Sequence, residues 1–369
     1  SRVKEPSDYG DLFYDMSVPV NEASFKEINS AVNQDWKALK VHLSEMGHYL
    51  ELSEPPRQFA AGFGNLNYYI IFDGKPAVLR RPPMSILVPG ANDMLREAKI
   101  LKALHPVFPL VPKCLFVGSD LNVWGAPFIV MEYRPGITIN SRLPDYLEDK
   151  STIGKYLTEE LLNILISLHS IDPIKVGLGD LGRTENYFSR TAKGWLKRAN
   201  AAWGDSLSHE IGKIERWLLA RIPAQGPSVL LHNDYKLDNI ILEPIDLRPK
   251  ALIDWDLGTR GDAIWDFAVL LSYWAQKDDP TAMLSLKQMP TLEPGFPKRD
   301  ELIGQYAERT KQNISQIIPY KVLAQFRLAV VFQQIFLRYQ HSEETNGEDK
   351  KFDKLALGLL DFTLSNLEA

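Results

Sequence analysis

The chain has 369 residues, of which 45% are hydrophobic and 24% are charged, and these proportions are typical of soluble globular proteins rather than disordered or fibrous ones. At roughly 100–200 residues per domain, this length predicts about two domains or lobes. The net charge of −5 gives no support for binding to nucleic acid or to an anionic membrane, which requires concentrated positive charge. The single cysteine, Cys114, excludes an internal disulfide and a cysteine-rich metal site, and it favours a reducing, cytoplasmic location.

The first part of the chain predicts a helix followed by strands. Residues 22–50 carry apolar side chains at three- and four-residue steps, which predicts a helix. After Pro55–Pro56 the alternating and β-branched patterns predict a hairpin and two further strands around one helix. The hairpin strands are Asn67–Phe72 and Ala77–Arg80, the helix is Met94–Leu104, and the later strands are Pro112–Val117 and Phe128–Tyr133. No apolar stretch reaches the ~20 residues that a membrane-spanning helix needs.

Helical patterns dominate from Ile153 onward. The predicted helices are Tyr156–His169, Tyr187–Trp203, Ile211–Ile222, Ala263–Trp274, Asp300–Thr310, Tyr320–Tyr339 and Lys354–Leu367, and short apolar strands are predicted at Val229–His232, Ile240–Leu242 and Ala251–Asp254. The pattern therefore predicts an α+β protein with two lobes and a ligand-binding cleft between them. We expect a helical extension over residues 1–52, a small β-rich lobe over 53–132 and a larger helical lobe over 133–369.

The sharpest chemical signal is the segment LLHNDYKLDNIIL, residues 230–242. Apolar strands flank Asp234, Lys236 and Asn239, so these polar residues are expected to lie on a rigid loop. The spacing Asp-x-x-x-x-Asn matches the catalytic loop of protein kinases. In that arrangement Asp234 accepts the proton of the attacking hydroxyl, Lys236 neutralises the transferring phosphoryl group and Asn239 binds Mg²⁺. The alternative interpretation is a hairpin with a polar tip.

A second polar segment, IDWDLGTRGDAIWDFA, follows at residues 253–268. Asp254 ends an apolar strand shortly after Asn239, and Asp256 follows two residues later. Their carboxylates are hard oxygen ligands of the kind that Mg²⁺ prefers, with phosphates and waters completing the shell. We expect Asp262 to cap the next helix. We expect Asp266 to be structural and to bond the backbone of the catalytic loop from within that helix.

Together the two segments resemble the aminoglycoside phosphotransferase and choline kinase-like superfamily. That pattern is HxDxxxxN, then a hydrophobic residue with Asp-Trp-Asp/Glu, then Gly-Asp and Asp-Leu-Ala, and this chain has Phe267 where Leu is frequent. The resemblance runs from about Phe59 to the C-terminus. It implies a protein-kinase-like fold with a small β-rich N-lobe and a larger helical C-lobe. It also implies an enzyme that uses ATP and Mg²⁺ to phosphorylate a hydroxyl of a small molecule.

The resemblance also places the nucleotide. It implies that Gly62, Gly64 and Asn65 form a nucleotide-binding loop, because glycines let the backbone approach phosphates closely. By itself the GFGN sequence fits a plain hairpin turn equally well. Arg80 occupies the position at which kinases keep a strand lysine against the α- and β-phosphates, and Arg81 is the second choice.

Four further residues complete the nucleotide-binding prediction. Val78 lies two residues before Arg80 on the same strand face and is expected to pack on the adenine. Glu97 on the next helix is expected to pair with Arg80. Backbone groups near Glu132 and Tyr133 are expected to hydrogen-bond the adenine edge, although a buried strand that ends in a turn would look the same.

The segment GLGDLGRTENYFSRTAKGWLKRANAAW narrows the resemblance to kinase domains related to those fused to certain acyl-CoA dehydrogenases. This subgroup implies a hydroxylated substrate such as a hydroxyacyl-CoA. Tyr187 and Arg190 of this segment and Trp274 of a later helix are the candidate substrate residues. The alternative interpretations are a solvated helix face for Arg190 and core packing for Trp274. The alternatives are an aminoglycoside or macrolide phosphotransferase and a catalytically silent nucleotide-binding module. A protein kinase is disfavoured because no Ala-Pro-Glu segment follows Asp254. The sequence does not decide the oligomeric state or the choice between ATP and GTP.

Overall fold

The computed structural model describes residues 25–60, 64–84, 90–340 and 349–367. The described residues form two compact units. The first contains the chain up to Thr138 together with Val176–Leu178 and Asn239–Gly258, and the second contains the remainder. Most of the β-structure belongs to the first unit and most of the helices belong to the second, which confirms the predicted α+β class.

The first unit contains an antiparallel sheet of six strands among the described residues. They are β1 (Leu50–Glu51), β2 (Arg57–Gln58), β3 (Leu66–Phe72), β4 (Lys75–Arg81), β5 (Cys114–Gly118) and β6 (Phe128–Glu132). The strand order is β1-β3-β4-β6-β5, and β2 also pairs with β3. Asp73 and Gly74 both adopt positive φ, at 49° and 78°, and close the predicted hairpin between β3 and β4.

The predicted helix over residues 22–50 begins at three residues that lie outside the described part of the chain. Within residues 25–50 the structure contains a much shorter α-helix, α1 (Trp36–Glu45). Asp35 caps its start by accepting a hydrogen bond from a first-turn backbone N–H, and Gly47 with φ of 85° follows its end. Phe25 lies in a β-bridge instead. The longer helix was therefore a wrong prediction, because local capping and strand pairing overrode the apolar periodicity.

Helices cover this sheet and build the core of the first unit. Leu39 and Leu43 of α1 are fully buried and pack with sheet residues such as Tyr68 and Phe128. The next two helices are α2 (Met94–Leu104) and α3 (Leu121–Trp124). Helix α2 packs against β5 and β6, and its buried residues include the carboxylate-bearing Glu97. A charged group is thereby held inside the unit, next to the sheet.

A small hairpin also belongs to the first unit. Its strands are β8 (Ile240–Leu242) and β9 (Pro249–Leu252), and Ile240 pairs with Leu252 in an antiparallel register. The backbone N–H of Ile253 continues this pairing by donating to the carbonyl of Asn239 over 2.9 Å. The hairpin therefore holds Asn239 and the residue after Ile253, Asp254, at the same end.

The second unit is helical. Its helices are α4 (Lys150–His169), α5 (Tyr187–Trp203), α6 (Ser208–Leu219), α7 (Ala263–Tyr273), α8 (Thr281–Leu284), α9 (Arg299–Thr310), α10 (Ile314–Gln340) and α11 (Asp349–Ser365). Strand β7 (Ser228–Leu231) pairs with β10 (Thr259–Asp262), and β10 leads directly into α7. The long helix α10 contacts α5, α7 and α11. Within the described ranges, every helix is too short or too polar to cross a bilayer.

Candidate active site

The loop after β7 is held in place by a buried carboxylate on α7. One oxygen of Asp266 accepts from the backbone N–H of His232 over 2.9 Å, and the other accepts from that of Asn233 over 2.8 Å. His169 Nε2 lies 2.9 Å from the first of these oxygens, and the Asp266 side chain is fully buried. The structure thus confirms the predicted structural role of Asp266. Asp262 caps α7 by accepting from Ile264 N over 3.0 Å, as predicted.

Asp234 follows on this loop, and two side chains of the second unit contact its carboxylate. The Tyr273 hydroxyl donates to Asp234 Oδ1 over 2.7 Å, and Arg327 Nη2 lies 3.6 Å from the same oxygen. Arg327 Nη2 also donates to the carbonyl of Asn233 over 3.3 Å. Burial, and then the negative charge of Asp234, raise the pKa of Tyr273 to about 12. Tyr273 therefore stays protonated at neutral pH and can orient the carboxylate.

Lys236 forms the cationic part of the same loop. Its ammonium donates to Gln288 Oε1 over 2.8 Å, lies 3.4 Å from Asp238 Oδ2 and sits 4.7 Å above the centre of the Tyr273 ring. Burial alone would lower the pKa of Lys236, but electrostatic interactions with Tyr273, Asp234 and Asp238 outweigh it and raise the pKa. The second unit therefore brings a carboxylate and a stable cation together on one loop.

Arg80 is the centre of a second charged cluster, in the first unit. Its Nε donates to Glu97 Oε2 over 2.7 Å, so the predicted pairing is present. Its Nη2 is hydrogen-bonded to Asp254 Oδ1 and lies 3.5 Å from Asp256 Oδ1. Nη1 donates to Asn67 Oδ1 over 3.0 Å. Burial would lower the pKa of Arg80, but Glu97, Asp254 and Asp256 raise it, so the guanidinium remains charged.

Arg81, the second choice for the strand cation, lies elsewhere. Its Nη1 donates to Gln34 Oε1 over 2.8 Å, and its guanidinium lies 5.5 Å from the centre of the Trp124 ring. Arg80 alone of the two contacts the carboxylates of this cluster. A role for Arg80 at the phosphates of a nucleotide stays a prediction.

The carboxylates around Arg80 offer oxygen ligands for a metal. When Glu97, Asp254 and Asp256 are ionised, the three carboxylates and the Arg80 guanidinium carry a net charge of −2. One Mg²⁺ would balance that charge. The Asp254 side chain is 34% exposed, and its backbone has a φ of 71°, a strained left-handed conformation for a non-glycine residue. Across the described ranges no three His, Cys, Asp or Glu side chains are arranged to hold a metal by themselves. In proteins Mg²⁺ is usually held by one or two carboxylates, and phosphates and water complete its shell.

Asp256 links this cluster to the segment after the predicted nucleotide-binding loop. Its Oδ2 accepts from the backbone N–H of Asn92 over 3.1 Å, and the Asn92 side chain donates to Asn65 Oδ1 over 2.8 Å. Burial, and then the neighbouring charge of Asp254, raise the pKa of Asp256 to about 8. Asn65 is thus connected to the acidic cluster through Asn92. Gly64 precedes Asn65, whereas Gly62 lies outside the described residues.

The residues predicted to surround the adenine lie on the sheet of the first unit. Val78 is half-buried in β4 and pairs with Met131 of β6. The backbone N–H of Glu132 donates to the backbone carbonyl of Lys113 over 2.9 Å. The ring of Tyr133 packs 5.2 Å from that of Tyr69. Adenine contacts of these residues stay a prediction.

The three candidate substrate residues occupy varied positions in the second unit. Tyr187 is 5% exposed, and Trp274 is fully buried with its indole N–H donating to the Pro297 carbonyl over 2.8 Å. Arg190 Nη2 donates to the Arg183 carbonyl over 2.5 Å. A role for these residues in substrate binding stays a prediction.

Three residues that contact the loop of Asp234 and Lys236 were not predicted from the sequence. Tyr273 has the helical spacing of a core aromatic, although its position just before Trp274 at the end of α7 could have drawn attention to it. Arg327 lies in the middle of α10, more than fifty residues after Tyr273 in the chain. Gln288 belongs to an irregular segment. Such contacts depend on tertiary packing rather than on local pattern.

Comparisons with known proteins agree with the motifs. The sequence model of a phosphotransferase enzyme family matches residues 56–302. The chain is 30% identical over 311 residues to acyl-CoA dehydrogenase family member 11 of Gallus gallus and 28% identical over 330 residues to that of Homo sapiens. It is also 28% identical over 306 residues to family member 10 of Mus musculus. These alignments cover 81–87% of this chain but only 28–40% of the relatives, so the chain spans at most about two fifths of their length.

Solved structures share the fold. A candidate aminoglycoside phosphotransferase from Ralstonia eutropha superposes with a TM-score of 0.71 at 23% identity, over 90% of this chain and 98% of that one. A thermostable mutant of the aminoglycoside phosphotransferase APH(4)-Ia, in ternary complex with ADP and hygromycin B, gives 0.57 at 12% identity, over 89% and 97%. These likenesses confirm the predicted kinase-like α+β fold.

Proposed function

Because the chain belongs to the phosphotransferase enzyme family, as its motifs predicted, we propose that it is an ATP- and Mg²⁺-dependent kinase of a small molecule. It transfers the γ-phosphoryl group to a hydroxyl of the acceptor. The observation that supports this most directly is the loop after β7, where Asp266 fixes the backbone and Tyr273 orients the Asp234 carboxylate. Phosphoryl transfer depends on such positioning and electrostatics more than on covalent chemistry.

In this proposal the second unit supplies the acid–base chemistry. Asp234 accepts the proton of the acceptor hydroxyl as its oxygen attacks the γ-phosphorus of ATP, while the bond to the β-phosphate oxygen breaks and releases ADP. Tyr273 holds the carboxylate through its 2.7 Å hydrogen bond and so limits the orientations that the base can adopt. Lys236 donates to the oxygens of the transferring phosphoryl group and offsets their charge.

The first unit supplies the nucleotide site. Arg80, positioned by Glu97, donates to phosphate oxygens in place of the usual strand lysine. Asn239 and Asp254, with Asp256 beside them, would hold Mg²⁺, and that ion would neutralise phosphate charge. The glycine-containing segment predicted to bind the nucleotide, which includes Gly64 and Asn65, covers the phosphates. Val78 and the backbone at Glu132 and Tyr133 contact the adenine.

We propose a hydroxyacyl-CoA as the acceptor, because the curated relatives are named as acyl-CoA dehydrogenase family members. An antibiotic acceptor is the alternative, since the solved structures with this fold include an aminoglycoside phosphotransferase bound to hygromycin B. A silent nucleotide-binding module would require the loss of a key polar group. Asp234, Asn239 and Asp254 are all present.

The proposal can be tested by measuring ATP consumption with hydroxyacyl-CoAs, aminoglycosides, macrolides, choline and sugars as acceptors. Asp234→Asn is expected to keep its affinity for Mg²⁺-ATP but to lose turnover, because the base acts in the chemical step. Asp254→Ala is expected to weaken nucleotide binding only when Mg²⁺ is present. Asp361→Asn, at an exposed position on α11, is the matched control. Full turnover by the Asp234 variant would remove that residue from its role, and absence of ATP binding by the wild type would refute the proposal.

A further inference from the structure

The second unit contains a cavity of about 190 Å³ that no part of the proposed mechanism uses. It lies among α7, α8 and the irregular segment that follows α8. Side chains that line it include Tyr273, Met283, Leu284, Gln288, Met289 and Leu292. We use the name acceptor pocket for the cavity lined by these residues. Its volume exceeds the ~150 Å³ of an engineered apolar cavity that holds benzene, so it can accept a small hydrocarbon group.

Two side chains of the acceptor pocket touch the loop that carries the proposed base. Tyr273 donates to Asp234 Oδ1 over 2.7 Å, and Gln288 accepts from Lys236 over 2.8 Å. A molecule in the pocket therefore lies one side chain away from both charged residues of this loop. All these residues belong to the second unit, so the juxtaposition is a property of that unit alone.

The lining is mostly apolar, with positive charge at its solvent side. Met283 and Met289 are buried, whereas Leu292 is 36% exposed. Two exposed cationic side chains, Arg142 and Lys287, also line the pocket. Arg142 is paired with Asp145 at 3.2 Å, so Lys287 is the better placed of the two to meet an anion. Methionine and leucine side chains favour a flexible hydrocarbon chain over a sugar ring rich in hydroxyls.

The pocket is poorly suited to an aminoglycoside. A polycationic ligand is recognised by carboxylates. Among the described residues that line this cavity none is acidic, and two carry positive charge. The electrostatic complement of this surface is a negatively charged molecule.

We infer that the acceptor pocket binds the hydrocarbon portion of the hydroxylated acceptor and selects its chain length, with a negatively charged group of the same molecule beside Lys287. This inference rests on the proposed function, because it assigns the pocket to the acceptor of that reaction. Leu284 and Leu292 then determine specificity, since they form the less buried part of the apolar wall. Each methylene that enters the pocket should strengthen binding by about fourfold until the space is filled.

The test measures KM and equilibrium Kd for 3-hydroxyacyl-CoAs of four, six and eight carbons with the full chain. Wild-type protein should show both constants falling by about fifteenfold for each two carbons, until the chain fills the pocket. Leu292→Trp, which fills the pocket from its exposed side, should abolish this dependence. Ile222→Trp is the matched control, because Ile222 is an exposed loop residue of the same unit outside the pocket lining, and it should keep the wild-type dependence.

Charge is tested separately with Lys287→Glu, which should raise the Kd of every acyl-CoA by about fivefold at low salt. Lys277→Glu is the control and should leave the Kd unchanged.

Circular dichroism checks folding, and Leu292→Phe replaces the tryptophan variant if that variant does not fold. Phosphorylation that is independent of chain length, or a chain-length dependence that survives in the Leu292 variant, would overturn the inference while leaving the proposed function intact. Binding that depends on chain length without any phosphorylation would support the pocket and reject the proposed function. Absence of both binding and phosphorylation would overturn the pocket assignment.

Discussion

Replacing Asp266 by asparagine should loosen the loop that carries Asp234. The fully buried Asp266 carboxylate accepts from two successive backbone N–H groups, those of His232 and Asn233, and from His169 Nε2. Asparagine keeps one acceptor oxygen but turns an NH₂ group toward the other donors. At least one charge-assisted hydrogen bond is lost, worth about 1.5–3 kcal/mol, and a buried N–H is left without a partner at about 1–3 kcal/mol. We therefore expect a destabilisation of about 3–5 kcal/mol, in the range for breaking a buried polar pair.

The assay is amide hydrogen exchange followed by mass spectrometry on peptides that cover residues 228–238, together with urea unfolding. In the wild type the amides of His232 and Asn233 should be protected, because both are hydrogen-bonded to a buried carboxylate. In Asp266→Asn these amides should exchange much faster, the urea midpoint should fall, and turnover should decrease because the base is no longer held in one position.

Asp361→Asn, at an exposed position on α11, is the control and should change stability by no more than about 0.5 kcal/mol. If Asp266→Asn changed stability by less than 1 kcal/mol and left the exchange of the two amides unaltered, the reasoning would be refuted. The loop would then be held by its own sequence or by its other contacts rather than by the α7 carboxylate.

Three further outcomes are expected. Tyr273→Phe should lower kcat by about ten- to a hundredfold, because it removes a hydrogen bond to a charged group worth ~1.5–3 kcal/mol, and steady-state kinetics should show little change in the KM for ATP. In metal-free buffer the raised pKa of Asp256 means that the folded state holds one more proton than the unfolded state between about pH 4 and pH 8. The free energy of unfolding should therefore fall as the pH rises through that window. Thermal melting of Asp256→Asn should lack this decline. In urea unfolding, Gly118→Ala should destabilise the first unit by about 1–3 kcal/mol, because the added methyl would overlap a phenylalanine ring. Gly304→Ala on α9 is the control, because it has open space around it, and it should be neutral or slightly stabilising.

Much of the fold and of the charged loop could be predicted because the signals are local. The strand pattern of Asn67–Phe72 and the Asp73–Gly74 turn predict a hairpin that the structure contains. Asp262 and Asp266 lie at the start of α7, where an acidic cap and an inward carboxylate have recognisable positions. The main failure, the helix over residues 22–50, arose because apolar periodicity does not show where a cap or a β-bridge interrupts it.

The family, the α+β class and the order of the charged residues could be determined from the sequence alone. Each of these depends on the spacing and periodicity of residues along the chain. Only the tertiary structure decided which groups share a buried environment. Three carboxylates gather around Arg80, and Tyr273 and Arg327 approach Asp234, from positions far apart along the chain. The lining of the acceptor pocket likewise could not be predicted from the sequence. Residues such as Met283 and Leu292 line it only because tertiary packing places them in the same pocket as Tyr273. Long-range packing fixes distances, burial and charge balance, and these are quantities that no local pattern encodes.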